Sequence, residues 1–129
     1  RTIPMLKLWG SALSHMQSDK KLGLVWTTIT REDFTRCGAR EADLRDIIDE
    51  LIHTSPEANL TLLLHEHAEP GKHQAIHVLI STKKNLDIKT QLAAYKPSGL
   101  KNNVSFIIEN KSLKEVEEEL TQKLKNLIS

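Results

Sequence analysis

Four histidines in one short stretch, His65, His67, His73 and His77, carry the side chain that most often binds transition metals. All four have odd numbers and lie on two segments that read as paired strands, and residues two apart share a face of a sheet. A turn that pairs odd positions with odd would gather them on one face, where zinc could use them. No Cys or Asp joins the set and the strand register is unproved, so the sequence favours a solvated sheet face of adaptable polar groups, with no residue assigned to a metal. A second kind of chemistry is suggested by Lys96-Pro97-Ser98-Gly99-Leu100-Lys101-Asn102-Asn103. Gly99 permits close backbone approach, Ser98, Asn102 and Asn103 offer hydrogen bonds, and Lys96 and Lys101 add positive charge. Such a loop can hold a phosphate through N–H groups and ammonium ions, although ordinary surface turns share its composition. Ser81-Thr82-Lys83-Lys84 is a second, weaker patch of the same type.

Other reactive side chains fall into no catalytic pattern. Glu66 has no carboxylate partner at a motif spacing. Glu41, Asp43, Asp46, Asp49 and Glu50 read as the wet side of an amphipathic helix, and Glu117, Glu118 and Glu119 as the wet side of another. Neither a nucleophile-elbow motif nor a phosphate-cradling or dinucleotide glycine fingerprint occurs. The chain therefore lacks a complete catalytic centre of its own. Cys37 is its only cysteine, which excludes an intrachain disulfide and is expected of a reduced, cytoplasmic protein. The thiol is more simply a small apolar side chain than a nucleophile.

The elements that would carry these groups follow from periodicity. Met5, Leu6, Trp9, Ala12, Leu13 and Met16 have helical spacing within Thr2–Asp19, and Pro4 suits a first turn. Leu22–Ile29 reads as a strand. Thr30 is expected to cap a short helix through Arg36 with Asp33 as its capping partner, ended by Cys37-Gly38. Glu41–His53 reads as a helix stopped by Ser55-Pro56. Leu60–His67 and Gln74–Thr82 form a hairpin around Pro70-Gly71. A short helix spans Asp87–Tyr95, a loop Lys96–Asn103 and a strand Val104–Ile108. Ser112 and Glu115 open a last helix whose inward stripe is Leu113, Val116, Leu120, Leu124 and Leu127. The order α-β-α-α-β-β-α-β-α implies an α/β domain with a mixed sheet of about four to five strands, one hairpin, and helices packed on it.

Bulk properties narrow the field. The chain's 129 residues fit one domain, 39% apolar composition suffices for one core, and 4% aromatics leave that core to aliphatic side chains. A net charge of +1 argues against a general nucleic-acid binder but leaves room for a local basic patch. No apolar run approaches the ~20 residues of a membrane span. The opening RTIPMLKLWG has no signal-peptide architecture and no initiator Met, so the chain is expected to be the C-terminal piece of a longer protein.

The stretch LDIKTQLAAYKPSGLKNNVSFIIENKSLKEVEEELTQKLKNL resembles the end of DHH-family phosphoesterases, the group of RecJ-like exonucleases and of enzymes that degrade very short RNAs and adenosine bisphosphate. LGLVWTTITREDFTRCGA and EADLRDIIDELIHTSPEANLTLLLHE are similar to earlier parts of the same DHH-associated domain, so the resemblance covers nearly the whole chain. It implies a linker-type helix at residues 1–20 and a substrate-binding domain at 21–129. In the family a Gly-Gly-Gly-His run helps hold substrate; the matching stretch here is Pro97-Ser98-Gly99-Leu100, in which only Gly99 survives in kind. Leu100 stands in the place of the histidine and cannot donate a hydrogen bond. A family arginine falls near Ser81, which cannot make a bidentate phosphate contact, and Lys83 and Lys84 would compensate in part as point charges.

The family's Asp-His-His motif and its partner Asp motifs are absent from this sequence. The resemblance therefore implies a non-catalytic substrate-binding or gating domain, with manganese and hydrolysis supplied by a DHH catalytic domain N-terminal to it. The parent protein would be a manganese-dependent phosphodiesterase or phosphatase. The ligand would be a nucleotide or short single-stranded oligonucleotide, held by Ser81, Lys83, Lys84, Ser98, Gly99, Lys101, Asn102 and Asn103. Leu6, Trp9 and Leu13 would link it to the catalytic domain, and no membrane is involved. The alternative is a degenerate copy retained for protein contacts such as homodimerisation, which an exposed Leu100 would suit.

Overall fold

The computed structural model describes residues 1–129 except Arg45, Pro70 and Lys72, and except the side chain of His53. Along the chain run α1 (Ile3–Ser14), β1 (Gln17–Asp19), β2 (Leu24–Ile29), α2 (Arg31–Cys37), a 3-10 turn (Glu41–Leu44), α3 (Ile47–Thr54), β3 (Leu60–Glu66) and β4 (Ala75–Thr82). Then come α4 (Ile88–Gln91), a second 3-10 turn (Ala93–Tyr95), β5 (Ser98–Leu100), β6 (Asn103–Glu109) and α5 (Leu113–Ile128). The fold is α/β: one six-stranded mixed sheet in the order β1-β2-β3-β4-β6-β5, with five helices packed on it. β2 and β3 are parallel, joined by a crossover through α2 and α3, and every other neighbouring pair is antiparallel.

Local chemistry sets the helix starts. Thr30 and Asp33 close a capping box at α2, the Thr30 hydroxyl accepting from the Asp33 N–H and the Asp33 carboxylate from the Thr30 N–H. Ser112 and Glu115 do the same at α5. Burial alone would raise the Asp33 carboxyl, but the Thr30 N–H and the Arg36 guanidinium outweigh it and hold Asp33 below its ordinary value. Gly38 ends α2 in the left-handed conformation at φ 66°.

Side-chain alternation divides the core in two. One face of the sheet, with Leu62, Leu64, Val78, Ile80, Val104 and Phe106, packs under α4 and α5, where Val116, Leu120 and Leu124 are fully buried. The other face, with Ile29 and Leu63, packs under α1, α2 and α3 through Leu8, Trp9, Phe34 and Leu51. This second layer covers β2 and β3 but stops short of β6, whose residues alternate between exposed and buried along its length. Cys37 lies in this layer, buried, as an ordinary small apolar residue.

Four expectations are corrected. The first helix ends at Ser14 rather than Asp19: the His15 N–H divides between the Ser11 and Ala12 carbonyls, and Gln17–Asp19 pairs with β2 as an edge strand. The helix expected over Glu41–His53 is broken, because Asp46 takes the left-handed conformation at φ 71° between the first 3-10 turn and α3. The segment Asp87–Tyr95 yields only one α-helical turn before relaxing into the second 3-10 turn. The loop Lys96–Asn103 contains β5, so that Ser98–Asn103 is a tight hairpin rather than irregular chain. The β3–β4 hairpin is as expected, with Gly71 at φ 85° in its turn; Pro70 lies outside the described residues. No helix among the described residues is long and apolar enough to cross a membrane.

Candidate functional site

The sheet brings most of the phosphate-type residues to one end. Ser81 lies directly across from Asn103, Leu100 from Asn103 and Ser98 from Ser105, so these side chains share one face. Lys101 and Asn102 form the two-residue turn between β5 and β6. That turn is tied down: the Thr82 N–H donates to the Asn102 carbonyl at 3.0 Å and the Lys89 N–H to the Lys101 carbonyl at 3.2 Å.

The lysines are spread around this end and do not converge. Lys83 Nζ donates to the Pro56 carbonyl at 2.7 Å, and Lys101 Nζ to Asn85 Oδ1 at 3.2 Å. Lys84 is exposed on the stretch after β4, its N–H bonded to the Thr82 hydroxyl. The charge of Lys101 is partly answered by Asp87, whose carboxyl is held below its ordinary value first by the Thr90 N–H and hydroxyl and to a lesser degree by that ammonium. Gly99 sits at φ 111°, and a Cβ there would run into the Asn103 carbonyl oxygen. The close approach it permits is between the two strands of its own hairpin. Lys89, which sequence reasoning passed over, donates from Nζ to the Gly99 carbonyl at 2.8 Å; as an exposed helical lysine it carries no motif signal.

Beyond this end the same face of β4, β6 and β5 is bare. It forms a groove lined by His77, Leu79, Lys96, Ser98, Ser105 and Ile107. Leu100 and Ile107 stand out of this surface at 71% and 51% exposure. On α1, Leu6 is exposed but Trp9 is buried, its indole N–H donating to the Asp43 carbonyl at 3.0 Å. Trp9 is thus engaged inside this domain, while Leu6 remains at the surface.

The histidines do converge, which the sequence left unproved. His65 and His77 are directly paired across β3 and β4, with rings stacked 4.6 Å apart at 20°. His67, just past β3, meets His77 edge-on at 4.7 Å, and its Nδ1 is 3.3 Å from His77 Nε2. His73 lies at the rim, two-thirds exposed and 3.6 Å from Glu109, its ring edge-on to that of His67 at 6.4 Å. The first 3-10 turn adds Glu41, whose Oε1 is 3.8 Å from His67 Nδ1 and 3.9 Å from His77 Nε2. No sequence pattern links Glu41 to the histidines, because the broken helix that delivers it is a tertiary feature. His65 lies deepest, its Nδ1 2.9 Å from the Glu66 carbonyl. Burial pushes the His65 imidazole down to about 4, and burial also lowers His77.

The sequence matches no family model and no curated protein. Solved structures share its fold. An exopolyphosphatase-related protein from Bacteroides fragilis aligns over 98% of this chain with a TM-score of 0.82 at 16% identity. A pGpG-specific phosphodiesterase from Vibrio cholerae aligns over 98% with a TM-score of 0.61 at 14% identity. The chain spans 35% and 40% of the lengths of these two proteins. It resembles, in fold, a domain-sized part of these two larger proteins.

Proposed function

We propose that this chain is the non-catalytic substrate-binding or gating domain of a DHH-type phosphoesterase that acts on nucleotides or short oligonucleotides. The observation that carries the reading is that nearly the whole chain aligns with about a third of a protein described as exopolyphosphatase-related. The pGpG-specific phosphodiesterase supports a nucleotide as the ligand class. Manganese and the hydrolytic step would belong to the other domain. This chain's part would be to hold phosphates at the β5–β6 turn and the end of β4. Lys83 and Lys101 are the charges to be tested, since each now donates to a neutral oxygen that a phosphate would outbid. Ser98, Asn102 and Asn103 would supply neutral hydrogen bonds, and Ser81 and Lys84 would flank them.

A labelled oligoribonucleotide of a few residues, titrated into the purified chain at low and physiological salt, tests this. Saturable binding that weakens with salt is expected. Lys83→Ala/Lys101→Ala should weaken it about tenfold or more and reduce the salt slope by about one for each ammonium that no longer meets a phosphate, with the circular dichroism unchanged. Equal affinity in the double variant would remove both lysines from the site.

One observation favours a second reading, a domain retained for protein contacts: Leu100 and Ile107 are both exposed on the bare face. If that reading is right, sedimentation will show a concentration-dependent dimer that Leu100→Asp abolishes. A monomer at all concentrations would set homodimerisation through this face aside.

A further inference from the structure

The Glu41–His67–His77 cluster plays no part in the phosphate-binding reading, and it brings three metal-ligating side chains together. One ligand atom from each residue lies within 4.8 Å of the other two. Glu41 Oε1 is nearly equidistant from three imidazoles, 3.8 Å from His65 Nδ1, 3.8 Å from His67 Nδ1 and 3.9 Å from His77 Nε2. All three distances exceed a hydrogen bond, so the carboxylate faces the rings without bonding any of them, and His65 Nδ1 is already engaged by the Glu66 carbonyl at 2.9 Å. We propose that Glu41, His67 and His77 form a zinc site.

Bond lengths support the assignment. With Zn–N and Zn–O near 2.0–2.1 Å, the edge of a tetrahedral coordination shell is about 3.3–3.4 Å. The two imidazole nitrogens already stand 3.3 Å apart. The two carboxylate edges need to shorten by about 0.5 Å, a small rotation for a side chain on an accessible turn. Two imidazoles and a carboxylate suit zinc better than hard cations, which prefer all-oxygen shells. Three protein donors leave a fourth position for water.

The surroundings hold the donors in place. The stacked His65 ring fixes the plane of His77, and the contact between His65 Nδ1 and the Glu66 carbonyl keeps His65 out of the ligand set. Arg31 Nε donates to the His67 carbonyl at 3.2 Å, anchoring that residue to α2. The turn bearing Glu41 is clasped by Arg40 and Asp43, each donating its N–H to the other, Asp43 accepting through its carboxylate. Outer contacts of this kind orient metal ligands in metalloproteins. The sequence had offered histidines without an acid partner; the 3-10 turn supplies one. The assignment does not depend on the phosphoesterase reading.

The test is a zinc titration of the chelator-stripped chain in competition with a chromophoric chelator, together with ring-15N NMR of the histidines. One zinc per chain is expected, shifting His67 Nδ1 and His77 Nε2. Glu41→Gln, His67→Asn and His77→Asn should each weaken binding about tenfold or more, while His15→Ala leaves it unchanged. His77 is packed against His65 and its replacement can disturb the fold. Glu41→Gln is isosteric and lies on an accessible turn, so it is the deciding variant if the histidine variants unfold. Absence of saturable zinc binding, wild-type affinity in Glu41→Gln, or shifts confined to other histidines would each overturn the site.

Discussion

Lowering the pH from 7 to 4 in the presence of a chelator is expected to remove about 3 kcal/mol of folding stability through His65 alone. The imidazole is 6% exposed, packed against Phe34, His77 and the backbone of Glu66. Burial is the largest influence and opposes the charged form; the neighbouring imidazoles of His77 and His67 act in the same direction, while the Glu66 carbonyl and Glu41 oppose it more weakly. The folded value is about 4 against 6.5 for the ordinary side chain. Between those values the unfolded chain binds the proton more readily, so stability rises with pH. The contribution is fully present above 6.5 and is lost as the pH falls through about 4. His77, also lowered, adds loss of the same sign. Urea unfolding of the wild type and of His65→Leu at a series of pH values isolates the effect: between pH 7 and 4 the wild type should lose about 3 kcal/mol more than the variant. Parallel curves for the two proteins would mean that His65 does not enter the fold uncharged.

Replacing Gly99 by alanine is expected to cost about 3 kcal/mol, far more than the same change at Gly38. Both glycines have positive φ, 111° and 66°. At Gly38 the added Cβ meets nothing within 4 Å, so only left-handed strain of about 1 kcal/mol is involved. At Gly99 the φ lies outside the left-handed helical region altogether, and the Cβ would meet the Asn103 carbonyl oxygen, with Val104 Cα at 3.3 Å. The β5–β6 pairing must shift to relieve that contact. Because the Lys101-Asn102 turn hangs on this pairing, ligand affinity at that end should fall together with stability. Denaturation of the two variants side by side, with hydrogen exchange at the Val104 amide, measures the difference. Equal destabilisation by the two substitutions would show that the hairpin adjusts freely and that Gly99 has no special backbone duty.

Two kinds of feature separate cleanly when residues are followed from chain to fold. The capping boxes at Thr30–Asp33 and Ser112–Glu115 and the inward stripe of α5 were legible, because each depends on residues within one or two helical turns of each other. The β3–β4 hairpin was legible for the same reason: two largely apolar, strand-like runs flank turn residues that are local. The three-residue strands β1 and β5 were not, since both are largely exposed and carry no alternating signal. They are strands only because β2 and β6 present open edges to them.

The candidate sites divide in the same way. Residue types by themselves showed no familiar catalytic motif, put the phosphate-type groups in Ser81–Lys84 and Lys96–Asn103, and set the histidines at strand-like spacing. Only the tertiary structure decided that Ser81 and Asn103 face each other while Lys83 and Lys101 point apart. It alone decided that Glu41 meets His67 and His77, because the meeting needs the break at Asp46, the parallel pairing of β2 with β3, and the antiparallel register that sets His65 against His77. Caps and stripes act over one or two turns and are written in consecutive residues; a three-element cluster depends on strand register and on the angle of a broken helix, which are settled by how the whole core packs.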